Sequence, residues 1–345
     1  MAKRVLAAVL ALAAAGLGAA LWLRSGPPPL EAAAPAESPA EEEAPAPVGF
    51  RVPDEAERLY AIGPFDGLAP ATRALLTPDP DYLPIDAPGP SDWLARFDEP
   101  RETFAEFAAA RNRRPEGARR KIYLQPIGEF PEDGAPPLEA LREYAQAVFQ
   151  LETLLLPPLD PGPLGVTSRT HPHTHKPQLL APQLIEVLVA RLPADAFCLL
   201  GLTMTDLYPE PSWNFVFGEA SPADGVGVFS FARYDPAFFG KPRGPGHAGV
   251  LLKRSLSVLA HEAAHLFGLG HCVYFQCLVC GSNSLDEADR RPIHLCPVCL
   301  RKLAHAIGFE PLAQHRALRR FYTAWGMDFE ADFMLRRLRR AEAAE

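Results

Sequence analysis

The sequence predicts an α/β (α+β) chain in which strands and helices alternate and then give way to helix at a metal-rich end. Three observations carry this. From Lys121 onward, short β-branched and aromatic runs alternate with segments of helical apolar period. One amphipathic segment, residues 250–269, ends in a cluster of histidines. Directly after it, four of the six cysteines fall in two short-spaced pairs. Composition agrees: 48% hydrophobic and 22% charged residues among 345 is ordinary globular usage, which excludes wholesale disorder, and 25 glycines exclude collagen. Proline is the unusual residue, at 38 of 345. A net charge of −8 argues against a general nucleic-acid binder, and no nucleic-acid partner is expected.

The elements follow in order. Lys3 and Arg4 precede an uncharged apolar run, residues 5–23, about 28 Å long as a helix, close to the thickness of a bilayer core. It lacks a small-x-small cleavage site and ends near Trp22, so residues 1–24 read as a single-pass anchor in the lipid bilayer. The cationic flank puts the rest of the chain on the non-cytoplasmic side. The alternative is a cleaved signal segment, leaving a secreted or periplasmic protein. Residues 25–50 are rich in proline, alanine and glutamate and form a disordered spacer. An extension, residues 51–120, is expected to hold one helix, 91–111, capped by Ser91, and a solvated arginine-rich loop behind it.

The main domain is expected over residues 121–310. Residues 122–127 read as a strand, 137–155 and 178–192 as helices, and 197–208 as a buried strand with Cys198 a core thiol. Residues 213–217 and 225–234 read as two strands joined by a Ser-Pro-Ala-Asp-Gly turn. The helix at 250–269 follows, with Leu252, Leu256, Leu259, Ala263 and Leu266 on one stripe. A C-terminal helix, 311–345, docks through Leu318, Phe321, Trp325 and Phe329 and keeps its arginines wet.

His261-Glu262-Ala263-Ala264-His265-Leu266-Phe267-Gly268-Leu269-Gly270-His271 holds the chemistry. Residues four apart on a helix project the same way, so His261 and His265 can share one ion, with Glu262 beside them. Gly268 and Gly270 let the backbone leave the helix and bring His271 in as a third imidazole. Three neutral nitrogens with one position left for water describe a catalytic zinc site. Cys272 and Cys277, then Cys296 and Cys299 after a loop of 18 residues, have the spacing of a closed, structural zinc site. Two disulfides are the rival reading for an exported chain. Cys280 is left as a free thiol. His171, His173 and His175 alternate between prolines as an exposed loop and a weaker metal candidate, and His294 could stand in for a thiolate.

The string from His261 through Cys277, with Cys296-x-x-Cys299, resembles the archaemetzincins, a branch of the metzincin zinc peptidases. The resemblance runs from about residue 122 to residue 309. It implies a metzincin-like twisted mixed sheet with an active-site helix beneath it, a cleft between them, and a zinc-stapled C-terminal helical part. It implies two zinc ions per chain, catalytic on the three histidines and structural on the four cysteines. It also implies an antiparallel edge strand lining the cleft, expected at residues 215–218. One position departs: relatives carry methionine two residues after the second cysteine, where this chain has Val279. The expected function is a monomeric zinc metallopeptidase acting on peptide or protein substrates, with water on the zinc activated by Glu262. The alternative is a metal-bearing binding or scaffold protein that keeps the fold with little turnover.

Overall fold

The computed structural model describes residues 49–345. The expected anchor at 1–24, and the spacer up to residue 48, lie outside the described residues. Among the described residues no helix is long and apolar enough to cross a membrane.

Before the sheet come four short helices: α1 Glu55–Ile62, α2 Pro70–Leu76, α3 Trp93–Arg96 and α4 Phe104–Ala109. The single helix expected over 91–111 is therefore two. Pro100 offers no N–H and forces Glu99 out of the helical region, so the chain between them is extended. Thr103 then restarts the helix with a reciprocal cap to Glu106.

The main sheet has five strands in the order β2-β1-β5-β8-β7: β1 Lys121–Ile127, β2 Thr153–Leu155, β5 Ala196–Thr203, β7 Gly218–Ser221 and β8 Val226–Ser230. All pairs are parallel except β7, which runs antiparallel to β8 along the edge. A smaller sheet joins β3 Ser168–Thr170, β4 Pro177–Leu180 and β6 Asp206–Tyr208.

Several expected elements are cut by this topology. The helix at 137–155 is α5, Leu138–Phe149; Gln150 turns left-handed (φ 52°) and the tail becomes β2. The helix at 178–192 is β4 followed by α6, Ala181–Val189, which begins one residue before Pro182, where a missing N–H costs nothing. The strand at 197–208 divides between the two sheets. Residues 213–217 are not a strand: Val216 makes one bridge to Leu207, and the edge strand lies at β7. Residues 225–234 give β8 and then a 3₁₀ turn, Ala232–Tyr234.

The long helix is α7, His247–Leu266, packed against α5 and β8. It is followed by α8 Leu285–Asp289, α9 Pro297–Ile307, α10 Pro311–Ala324 and α11 Asp328–Glu342. The expected single C-terminal helix is a pair, because Gly326 (φ 66°) reverses the chain. Phe329 is 75% exposed rather than docked, whereas Arg337, expected in water, is fully buried and paired with Asp79. Ile62, Leu76, Trp93, Leu94 and Phe107 from the extension lie in one contiguous core with the sheet and with α7, α9 and α10.

Candidate metal centre and active-site cleft

The last two turns of α7 carry His261, Glu262 and His265. The helix stops at Phe267, and Gly268 follows at φ 88°. A Cβ there would sit 2.6 Å from Cγ of Asn112, so glycine is required by conformation and by contact. The reversal brings His271 back. Its ring centroid lies 5.3 Å from that of His261 and 5.1 Å from that of His265, which are themselves 4.8 Å apart. One nitrogen from each ring falls within 4.8 Å of the others.

Hydrogen bonds choose which nitrogens face inward. His261 Nδ1 donates to the Leu278 carbonyl (2.9 Å) and His265 Nδ1 to that of Leu269 (2.6 Å). Both Nε2 atoms are then bare lone pairs, 3.1 Å apart. Such a contact is repulsive alone and close to the ligand–ligand spacing around a tetrahedral zinc with Zn–N of about 2.0–2.1 Å. The donor set therefore fits a zinc ion. Burial, with the neighbouring imidazoles adding to it, holds His261 well below the usual histidine range and His265 at about 4, so both rings are neutral.

His271 differs. Its Nδ1 lies 2.7 Å from Oε1 of Glu99, in the extended stretch between α3 and α4. The same oxygen accepts from the Trp93 indole (2.7 Å). Burial would raise the Glu99 carboxyl, but its pairing with His271 and the Trp93 hydrogen bond hold it below the usual carboxylate range.

Glu262, Trp93, Tyr234, Val258 and Cys280 line a cleft that encloses ≈ 740 Å³ of space open to solvent and reaches His261 and His271. Burial pushes the Glu262 carboxyl up to about 7. Tyr234 stacks on Phe217 at 5.3 Å, and the neighbouring Arg233 guanidinium makes two bonds to Asp206 (2.8 and 2.7 Å) and covers the Phe215 ring at 3.4 Å.

Cys272, Cys277, Cys296 and Cys299 are buried, and their Sγ atoms lie within 4.8 Å of one another. None is in a disulfide, and Cys272 and Cys296 stand 3.6 Å apart, far beyond a bond of about 2.05 Å. Cys296 caps α9 and Cys299 lies in its first turn. Donation from the other thiols, Cys277 first, pulls Cys272 well below the usual thiol range. This group could hold a second metal ion. Val279 is fully buried, and its carbonyl accepts from the Cys272 N–H (2.9 Å), giving the turn an apolar floor.

The other candidates are used elsewhere. His171 is buried rather than exposed; it bonds Asn214 through Nε2, and its Nδ1 accepts from the N–H groups of His173 and Thr174. His294 stacks on Phe333 at 3.7 Å and is not among the four-sulfur group. Cys280 is a buried thiol donating to the Phe275 carbonyl (3.3 Å). Motif reading misses the contacts of Glu99 and Trp93 with His271, because these residues share no spacing with the histidines.

A helix bearing two histidines and a glutamate, a glycine reversal and a returning third histidine define a zinc metallopeptidase of the metzincin kind. Comparison with known proteins narrows this. Peptidase family M54 matches residues 192–305. Archaemetzincin-2 of Homo sapiens is 40% identical over 269 residues, 70% of this chain and 74% of that protein. Archaemetzincin-1 of Rattus norvegicus is 38% identical over 255 residues, 66% of this chain and 51% of that protein. Among solved structures, the archaemetzincin of Archaeoglobus fulgidus complexed with malonate matches at 26% identity and TM-score 0.40, over 53% of this chain and 99% of that one. The chain belongs to the archaemetzincin family and is a zinc metallopeptidase whose substrates are peptides or proteins.

Proposed function

We propose that the chain hydrolyses peptide bonds in the cleft beside α7, with His261, His265 and His271 as ligands of a catalytic zinc and Glu262 as general base and acid. Bound there, zinc supplies Lewis acidity to the scissile carbonyl and makes water a better proton donor. Glu262 takes the proton from the attacking water and gives it to the departing amine. Burial raises the Glu262 carboxyl, which eases its proton acceptance from water. Strand β7 offers its outer edge as a template for extended peptide. The observation that carries the reading is Glu262 in one cleft with His261 and His271, two of three converging imidazoles.

Glu262→Gln keeps the shape and removes the base. Peptide-library digestion should cease, stay sensitive to chelator in the parent protein, and leave the variant's metal content unchanged. Undiminished turnover would defeat the assignment. A wild-type chain that loads zinc but cleaves nothing in that library favours the binding or scaffold reading, which Val279 supports. We also assign a structural zinc to Cys272, Cys277, Cys296 and Cys299, giving two zinc ions per chain by elemental analysis. The apolar run at 5–23 serves as a bilayer anchor for a monomeric enzyme; release of the full-length protein by alkaline carbonate would exclude it.

A further inference from the structure

Two of the three imidazoles are held by carbonyls of their own segment, Leu278 for His261 and Leu269 for His265. The third is held by a carboxylate 172 residues away in sequence, outside the stretch matched to peptidase family M54. We propose that Glu99 is the positioning residue for His271, so that the segment ahead of the sheet completes the catalytic centre. The inference rests on the reading of the three histidines as zinc ligands.

Its basis is geometric. His271 follows two glycines, so its backbone has the least conformational restraint of the three. Accepting from Nδ1–H at 2.7 Å fixes the tautomer and turns Nε2 toward the other two rings. A carboxylate does more than a carbonyl: its full charge raises the basicity of the ligand nitrogen. Glu99 is itself immobilised. The Trp93 indole donates to the same oxygen at 2.7 Å, the Trp93 ring meets His271 edge-on at 5.0 Å, and the Trp93 N–H donates to both oxygens of Glu287 at 3.1 Å. Pro100 keeps Glu99 off the helix that would turn it away.

The test uses the full chain loaded with zinc and measures affinity by competition with a chromophoric chelator, without substrate. Glu99→Ala should weaken one zinc about 10- to 100-fold and leave the other, on the four thiols, unchanged. Glu99→Gln keeps an oxygen for both donors but no charge, and should lose less. Trp93→Phe removes the indole that holds Glu99 and should weaken the same zinc, by less than Glu99→Ala does. Two zinc ions held as tightly in Glu99→Ala as in wild type would overturn the proposal. If Glu99→Ala fails to fold, Glu99→Gln decides: both zinc ions held as tightly as in wild type would overturn the proposal. Hydrolysis is a separate readout: turnover surviving Glu262→Gln would end the catalytic assignment and leave this one standing. Zinc stoichiometry unchanged by His265→Ala would instead end the reading of the histidines as ligands.

Discussion

Glu262 and Gly268 show how single positions balance stability against function. Burial raises the Glu262 carboxyl from its usual range to about 7, so the folded chain binds that proton more tightly than the unfolded chain. The cost of its charge is therefore absent below about pH 4.5, grows as pH rises, and is complete above about 7. In zinc-stripped protein, Glu262→Gln should be more stable than wild type at pH 8, by about 2–3 kcal/mol, and nearly equal to it at pH 5. Urea unfolding at the two pH values measures this, and a difference independent of pH would contradict it. Gly268→Ala should cost about 1–3 kcal/mol, from a positive φ and a clash with Asn112, and should weaken zinc as His271 is displaced. A variant with unchanged melting and unchanged metal affinity would show that the reversal tolerates a side chain.

At the scale of elements, periodicity located helices well and their ends poorly. The stripe along α7 was legible because its buried leucines and alanines recur at helical steps. The breaks at Pro100, Gln150 and Gly326 were not, because each sits inside a run whose apolar spacing continues through it. The arginines of α11 misled for a similar reason: composition cannot say which of several cations turns inward. Arg337 does, giving hydrogen bonds to the carbonyls of Ala74 and Leu75 at 2.9 Å and an ion pair to Asp79. Arg337→Ala should lower stability by about 3 kcal/mol, seen as a fall in the urea midpoint, because Asp79 loses its buried cation and keeps the half-exposed Arg340 bridge and the Asp81 N–H. A midpoint within error of wild type would show that the buried pair contributes nothing.

Over the whole molecule, the extension and the catalytic region share one core, so they are expected to fold together. A chain beginning at residue 121 would expose the surfaces that Ile62, Leu76, Trp93, Leu94 and Phe107 cover. It should be aggregated or molten, detected by light scattering and loss of near-ultraviolet dichroism; a monomeric, zinc-loaded fragment would show that the extension is dispensable. The histidine and cysteine sets were readable from the sequence, since helical pitch pairs His261 with His265 and short spacing pairs the cysteines two by two, while packing brings in His271 and joins the cysteine pairs. The alternation of strand and helix was readable for the same local reason. Which acceptor each imidazole uses, where the edge strand lies, and that Glu99 reaches His271 were decided only by the tertiary structure. These depend on surfaces distant in the chain packing against one another, and no local period encodes such an approach.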